Sequence, residues 1–119
     1  MRLWIYGIII LIGFSFTSSK TEVGKATYYA SAFQGRKTSS GEKFDQGLLT
    51  AAHKSLPFGT IVQVKNTAND SIALVKINDR LPQRSGCIID LSLAAAKQLN
   101  FVRQGVAKVE LTVHNQTEE

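Results

Sequence analysis

The sequence predicts an all-β domain with one short helix, closed into a small barrel. Three observations support this prediction. Beyond an apolar N-terminal segment, about 100 of the 119 residues remain, which is enough for one domain. These residues contain six short β-branched or alternating runs and a single alanine-rich run. Only one cysteine is present, so no internal disulfide supports the fold, and a closed β body with its own core is favoured.

The apolar segment that opens the chain is typical of an export signal. Residues 1–19 have a basic start at Arg2, an apolar run over 3–16 and then small polar residues. The apolar run is shorter than the roughly 20 residues of a membrane-spanning helix and suits a secretory signal peptide. An uncleaved N-terminal anchor is the alternative. We therefore expect a domain at residues 20–119 in the periplasm or cell envelope, without a lipid anchor because no cysteine stands directly after the signal to carry a lipid.

Two strands and a long loop are predicted in the first half of the domain. The run EVGKATYYA (22–30) predicts a first strand that ends in aromatic residues. The segment 31–47 is rich in glycine, serine and charge, which predicts a loop. The run LLTAAH (48–53) is short and apolar and lies between a glycine and a Pro-Phe-Gly turn, so it predicts the second strand.

A hairpin is predicted in the middle of the chain. The β-branched runs TIVQVKN (60–66) and SIALVKIN (71–78) are joined by TAND (67–70), which is a turn signal. Both alternating faces of the second run are apolar, which predicts a strand covered on both sides. An aspartate, Asp79, stands at the tip of this strand.

Two more strands and the helix complete the predicted fold. The run CIIDLS (87–92) predicts the fifth strand, in which Cys87 is expected to be a small buried residue. The run SLAAAKQLN (92–100) predicts the helix, because a serine N-cap precedes three alanines and an asparagine can end it. The run VAKVELTV (106–113) alternates and predicts the sixth strand.

Four ionisable residues at loop edges and strand ends are candidates for chemistry: Glu42, Asp45, His53 and Asp79. Taken singly, each has a structural explanation, such as a solvated loop, a capped turn or a surface ion pair between Asp79 and Arg80. Taken together, they favour sugar chemistry, in which a carboxylic acid with a raised pKa protonates a glycosidic oxygen. We expect burial and a second carboxylate to raise the pKa of Asp79, unless Arg80 pairs with it directly.

Other classes of function have little support in the composition. The net charge of +5 comes from scattered Lys and Arg residues that are not interleaved with aromatics, so nucleic-acid binding is not expected. The two histidines have no zinc-ligand spacing, and no serine nucleophile motif is present. We expect neither a metal nor another cofactor.

Several blocks in a fixed order resemble the rare lipoprotein A family. The blocks are GKATYYA, RKTSSGEKFD, LTAAHKSLPFGTIVQVKN, VKINDRLP, IIDLSLAAAKQL and GVAKVELTV, and together they span residues 24–113. The resemblance implies a six-stranded double-psi β-barrel. It also implies an endolytic lytic transglycosylase that cuts the β-1,4 bond between N-acetylmuramic acid and N-acetylglucosamine without water. The muramic C6 hydroxyl closes onto C1 to leave a 1,6-anhydro end, and glycan strands without stem peptides are preferred.

The resemblance also implies roles for individual residues. The family's catalytic aspartate falls on Asp79, its supporting glutamate on Glu42 and its histidine on His53. Around these residues we expect five substrate-binding or orienting side chains. They are Asp45, Thr50, Asn78, Arg80 and Tyr29.

Two departures from the family pattern concern the surroundings of the site. Leu81 stands where the family usually has glycine, and it would be strained if that glycine takes a positive φ. Tyr28, Tyr29 and Ala30 stand in place of Trp-Tyr-Gly. The alternative function is a non-catalytic glycan-binding or wall-loosening module of expansin-like type. Asp79, Glu42 and His53 together favour the enzyme, acting as a monomer on peptidoglycan glycan strands.

Overall fold

Six strands close into a barrel in residues 20–114, the part of the chain that the computed structural model describes. The elements are β1 (Thr21–Tyr28), a 3-10 turn (Ser31–Phe33), β2 (Thr50–His53), β3 (Ile61–Asn66), β4 (Ile72–Arg80), β5 (Ile89–Leu91), α1 (Leu93–Gln98) and β6 (Ala107–Val113). The six predicted strands and the predicted helix are confirmed, with bounds that differ by a few residues. The predicted export signal, at residues 1–19, lies outside the described residues.

The strands follow the order β1-β5-β2-β4-β3-β6 around the barrel. The pairs β1–β5 and β2–β4 are parallel, and the other four pairs are antiparallel. Parallel neighbours need long crossover connections: β3 and its flanking turns join β2 to β4, and the chain from residue 29 to residue 88 joins β1 to β5. Since every strand has two partners, no sheet edge is left open. The closed barrel confirms the predicted double-psi architecture.

Alternating side chains of the strands fill the barrel interior. Fully buried members include Val62, Val64, Val75, Ile77, Ile89, Leu91 and Val109. The prediction that β4 is covered on both sides is wrong for its first half, because Ile72 and Leu74 are 46% and 42% exposed. Their cross-strand neighbours Lys65 and Gln63 lie on the same outer face, which is partly exposed within residues 20–114.

The helix α1 is fixed at both ends by side-chain hydrogen bonds. The Ser92 hydroxyl accepts a hydrogen bond from the Ala95 amide at the N-cap, as predicted. At the other end the Leu99 carbonyl accepts hydrogen bonds from the Asn66 amide group at 2.8 Å and the Ser71 hydroxyl at 3.0 Å. No helix in residues 20–114 has both the length and the apolar character needed to cross a membrane.

A register irregularity in β4 decides where Asp79 points. Ala51 pairs with Ile77, but the next residue of β2, Ala52, pairs with Asp79, so Asn78 is an extra residue in β4. Simple alternation after Ile77 would direct Asp79 into the core. The bulge instead places Asp79 on the outer face of the barrel, opposite Ala52.

A second, smaller apolar cluster lies outside the barrel and holds the long loop in place. It consists of Tyr29, Phe44, Ala52 and, at its side, Leu81. Leu81 is not among the non-glycine residues with positive φ in the described chain, so the expected strain is absent. Its side chain packs on the cluster instead. Cys87 is half-buried just before β5, whereas the sequence predicted a buried residue.

Candidate active site

The loop 38–42 lies across the far end of β4 and brings several polar groups to it. The Thr38 amide donates to the Glu42 carbonyl at 2.8 Å, and the Ser40 amide donates to the Asn78 carbonyl at 3.2 Å. Gly41 allows this tight turn because its φ is 94°, a value that glycine adopts without strain. The loop therefore closes on itself and is also tied to the strand.

Three hydrogen bonds hold the carboxylate of Asp79. Its Oδ1 accepts from the Ser39 amide at 2.8 Å and from the Arg80 amide at 2.9 Å. Its Oδ2 accepts from the Tyr29 hydroxyl at 2.5 Å. Asp79 is half-buried, so part of the residue remains accessible.

These donors settle the charge state of Asp79. Burial raises its pKa, but the hydrogen bonds from Tyr29, Ser39 and Arg80 together outweigh burial, so the pKa of Asp79 is below its ordinary value. The predicted rise in the pKa of Asp79 is therefore wrong for the protein without substrate. The sequence could not show that three donors converge on this carboxylate.

Glu42 is held beside Asp79 through a different pair of contacts. Its Oε2 accepts from the Lys76 ammonium at 2.9 Å, and its Oε1 accepts from the Asn78 side-chain amide at 3.0 Å. Hydrogen bonds from Lys76 and then Asn78 lower the pKa of Glu42. Since Asn78 directly precedes Asp79, the two carboxylates lie at one junction between the loop and β4.

Arg80 does not neutralise Asp79. Its guanidinium donates from Nη1 to the His53 carbonyl at 2.9 Å and lies over the Phe58 ring, 4.3 Å from the ring centroid. The ion pair considered from the sequence does not form in residues 20–114. The guanidinium instead supports the ends of β2 and β4.

The imidazole of His53 has neighbours other than the two carboxylates. Its Nδ1 accepts hydrogen bonds from the Ser55 and Leu56 amides at 3.1 Å, so Nε2 carries the proton and donates to Glu22 Oε1 at 2.9 Å. The buried ring lines a cavity of about 310 Å³ together with residues of β1 and β6. None of its hydrogen bonds within the described chain reaches Asp79.

Three other predicted binding residues, Thr50, Asn78 and Asp45, differ in burial and in hydrogen bonding. Thr50 Oγ1 and Asn78 Oδ1 are buried and have no hydrogen-bond partner in residues 20–114, so a ligand reaches neither atom directly. Asp45 is exposed and accepts from the Gly47 amide at 2.8 Å, which stabilises its own turn.

Tyr29 does not offer a free ring face for sugar stacking. Its ring is stacked on Phe44 with the centroids 4.1 Å apart and is only 6% exposed. Its hydroxyl instead positions Asp79. Phe33 packs against Tyr29 in an edge-to-face arrangement with the ring centroids 5.6 Å apart and is 41% exposed, so a ligand can reach its ring.

Sequence reasoning missed Asp90, a third carboxyl group near the site. Asp90 lies in β5 and accepts a hydrogen bond from the Thr27 hydroxyl at 3.1 Å. Burial, opposed by the Thr27 hydrogen bond and supplemented by the charge of Asp79, raises the pKa of Asp90. The available signal was an acidic residue between two apolar residues of a strand, because burying a carboxylate is costly unless it is paired or hydrogen-bonded.

The Tyr29→Phe substitution is expected to raise the pKa of Asp79. It removes the hydroxyl donor that favours the charged carboxylate and keeps the ring on Phe44. Carboxyl ¹³C NMR titration measures the shift. The Tyr28→Phe protein is the matched control, because that hydroxyl donates to Val102 and not to Asp79.

Tyr29→Phe is also expected to lower the free energy of unfolding by about 1 kcal/mol at pH 7, because the lost hydrogen bond involves a charged but partly exposed group. Because the pKa of Asp79 is lower in the folded than in the unfolded state, its ionised form stabilises the fold at pH values above its unfolded pKa, which is near 4. This stabilisation is lost as the pH falls through the folded-state pKa. The difference between Tyr29→Phe and the wild type should therefore shrink in urea unfolding at about pH 3. An equal difference in unfolding free energy between the two proteins at both pH values would contradict a charge-assisted hydrogen bond from Tyr29 to Asp79.

His53→Ala is expected to lower the free energy of unfolding by roughly 3 kcal/mol, because two backbone amides lose their acceptor and a cavity forms. Urea unfolding measures the loss. Glu22→Gln is the control and should change stability little, since the glutamine oxygen still accepts from Nε2. A folded His53→Ala protein without the activity proposed below would show that the ring itself serves the reaction, as the resemblance implies.

A six-stranded closed barrel with two parallel pairs and a polar loop–strand junction defines a double-psi β-barrel protein. A family model described as "Lytic transglycolase" matches residues 21–111. The chain belongs to this family.

Curated relatives agree with the family model. The chain is 48% identical over 91 residues to the "Endolytic peptidoglycan transglycosylase RlpA" of Neisseria meningitidis, covering 76% of this chain and 38% of the relative. It is 49% identical over 88 residues to the "Probable endolytic peptidoglycan transglycosylase RlpA" of Treponema pallidum, covering 74% of this chain and 28% of the relative. The chain thus spans about a third of the length of these relatives.

Solved structures show the same fold at lower identity. The "Streptomyces papain inhibitor (SPI)" matches with a TM-score of 0.65 and 24% identity, covering 81% of this chain and 96% of that one. The apo expansin of Clavibacter michiganensis matches with a TM-score of 0.68 and 18% identity, covering 84% and 53%. At these identities the likeness concerns the barrel alone.

Proposed function

We propose that this protein is an endolytic lytic transglycosylase of peptidoglycan that acts in the cell envelope. The observation that carries the proposal is the junction at which the loop 38–42 and the end of β4 hold both Glu42 and Asp79, the latter half-buried. A protein that only binds glycan has no need of two carboxylates held in this way. The names of the curated relatives support the same reaction class.

Asp79 performs both proton transfers in the proposed reaction. It donates a proton to the glycosidic oxygen of the leaving N-acetylglucosamine as the bond from C1 of the muramic residue breaks. The C6 hydroxyl of that muramic residue then forms a bond to C1, and its proton passes to Asp79. Acid and base roles reverse between the two steps, so one carboxyl group serves both, and no water is consumed.

A bound glycan helps Asp79 to take up its proton. In the protein without substrate, the three donors keep Asp79 ionised, although burial already acts in the opposite direction. A sugar ring that covers the open side of the carboxylate removes water from it and increases the effect of burial. The pKa of Asp79 therefore rises when substrate is bound, which is when the acid is needed.

Glu42 is assigned the electrostatic role. Lys76 and Asn78 hold it in the ionised form, since both stabilise its negative charge. An ionised Glu42 can stabilise the positive charge that develops at C1 in the transition state. His53 and Arg80 support the junction through the His53 carbonyl, and one copy of the chain carries the whole site.

Digestion of peptide-free glycan strands tests the proposal. We expect the purified full chain to release fragments with 1,6-anhydromuramic ends, identified by mass spectrometry, and to cut strands that carry stem peptides more slowly. Fragments with ordinary reducing ends would indicate hydrolysis and contradict the assignment. Binding to the strands without any fragments would identify an expansin-like module instead.

A further inference from the structure

A cavity of about 570 Å³ lies at the opposite end of β4 from Asp79. Asn69, in the turn before β4, forms one wall, and the segment around the end of α1 forms the rest. At about 3.3 Å per residue, the strand between Ile72 and Asp79 spans roughly 20 Å, so the cavity is separate from the catalytic junction. The lining residues are Asn69, Lys97, Asn100, Val102, Arg103 and Gln104.

The lining is cationic and rich in hydrogen-bond donors, and no carboxylate of the described residues belongs to it. Lys97 and Arg103 supply positive charge, and asparagine and glutamine side chains supply neutral N–H donors. Both cations are exposed, and neither forms a salt bridge within residues 20–114. Asp70, which follows Asn69, lies 3.5 Å from the Lys65 ammonium instead. Since two like charges that share a cavity repel each other, an anion bound between them is favoured.

The walls of the cavity are fixed by hydrogen bonds and by the core. The Asn69 side-chain amide donates to the Leu99 carbonyl at 3.2 Å, which ties the turn before β4 to the end of α1. The Asn100 backbone amide donates to the Lys97 carbonyl at 3.0 Å. Phe101, between two lining residues, is 1% exposed in the main core. The cavity therefore exists before any ligand arrives, as binding sites usually do.

The substrate proposed above carries an anion of the matching class. Each N-acetylmuramic residue has a lactyl ether at O3 that ends in a carboxylate when no stem peptide is attached, whereas N-acetylglucosamine has no such group. A guanidinium binds a carboxylate through two parallel N–H donors, and an ammonium adds a point charge.

We propose that the cavity binds the lactyl carboxylate of a muramic residue, with Arg103 and Lys97 as its cationic contacts. The identity of this ligand rests on the function proposed above. Because the cavity lies far from Asp79, the bound residue is not the one that is cut. The cavity is a second contact that holds the polymer while another part of it is cleaved at the catalytic junction.

NMR on the full chain tests the ligand without any cleavage. N-acetylmuramic acid should shift the amide signals of Lys97, Asn100 and Arg103. N-acetylglucosamine at the same concentration should not, because it differs only in lacking the lactyl group. Unchanged signals with N-acetylmuramic acid would overturn the proposal. Equal shifts with inorganic phosphate would show a general anion site and would overturn the assignment to a muramic residue.

Strand binding by charge variants tests the two cations. In the Asp79→Asn background, which leaves strands intact, Lys97→Gln with Arg103→Gln should weaken binding to peptide-free strands by about five- to tenfold, as expected for two exposed charge contacts. The difference should shrink at about 0.5 M salt. Chitin, which has no carboxylate, should bind both proteins equally. Chitin binding that falls as much as strand binding would contradict a carboxylate contact.

The matched control is Lys25→Gln with Lys108→Gln. These two exposed lysines pair directly across β1 and β6 and do not line the cavity. The control removes the same charge and should bind strands as the unsubstituted background does. An equal loss of binding in both double variants would show a general charge effect and would overturn the site.

Cleavage kinetics separate this site from the catalytic junction. Lys97→Gln with Arg103→Gln should raise KM and leave kcat unchanged, because a remote contact is the same in the ground state and the transition state. A lower kcat with an unchanged KM would contradict a remote binding role. If the wild type releases no anhydro-ended fragments but N-acetylmuramic acid shifts the cavity signals, the proposed function fails and the binding site stands. Cleavage without those shifts is the opposite result, in which only the site fails.

Discussion

Asp79→Asn is expected to reduce the release of anhydro-ended fragments by about 10²–10⁴-fold, the usual contribution of a general acid–base group. The amide cannot donate an acidic proton to the glycosidic oxygen or accept one from the C6 hydroxyl. Its geometry is nevertheless matched to the site. The amide oxygen still accepts from the Ser39 and Arg80 amides, and the amide nitrogen can donate to the Tyr29 hydroxyl.

The matched control for this substitution is Asp70→Asn. Asp70 lies in the exposed turn between β3 and β4 with a φ of 63°, a conformation that asparagine tolerates well. This protein should cleave at the wild-type rate. Circular dichroism should show folded Asp79→Asn protein, and binding to glycan strands should persist. Anhydro-ended product formed by folded Asp79→Asn protein at the wild-type rate would exclude Asp79 as the acid.

The order and type of the elements were predictable because each leaves a local pattern in the sequence. The alternation in 106–113 and the serine N-cap before three alanines follow from backbone geometry and need no tertiary information. The assignment of Glu42 and Asp79 to one site was implied by the family blocks, which carry three-dimensional information that composition does not. Leu81 shows the limit of that information, because it fills an apolar cluster where the family pattern suggested a strained turn.

The features that the sequence did not reveal depend on how strands that are distant in the sequence pair with one another. The extra residue at Asn78 turns Asp79 to the outer face, and this bulge has no signature within the run SIALVKIN. The same register places Asp90 in a row with Asp79, although the two lie 11 positions apart in the sequence. The ring of His53 turns towards Glu22 of β1, a contact between strands that are not neighbours in the barrel. Such contacts depend on closure of the whole barrel, so local patterns cannot predict them.

Phe44→Ala is expected to destabilise the protein by about 3–5 kcal/mol, the usual cost of removing a fully buried phenylalanine ring. Phe44 is 2% exposed and stacks on Tyr29 in the small cluster outside the barrel. Its backbone also anchors the loop through hydrogen bonds with Gly35 and Arg36. Without the ring, Tyr29 and the Ser39 amide are no longer held against Asp79. Cleavage should therefore be lost even where the barrel itself remains folded.

Phe101→Ala separates this effect from a general loss of stability. Phe101 is 1% exposed in the main core and contacts the edge of Tyr28, so its removal should cost a similar amount of stability. Losses of this size lower the melting temperature of a domain of this length by roughly 15–25 °C, so cleavage is measured at low temperature, where circular dichroism shows both proteins folded. We expect Phe101→Ala to keep its activity there and Phe44→Ala to lose it. Equal activity in the two proteins would mean that the loop does not need its apolar anchor to present Ser39 and Glu42 to the strand.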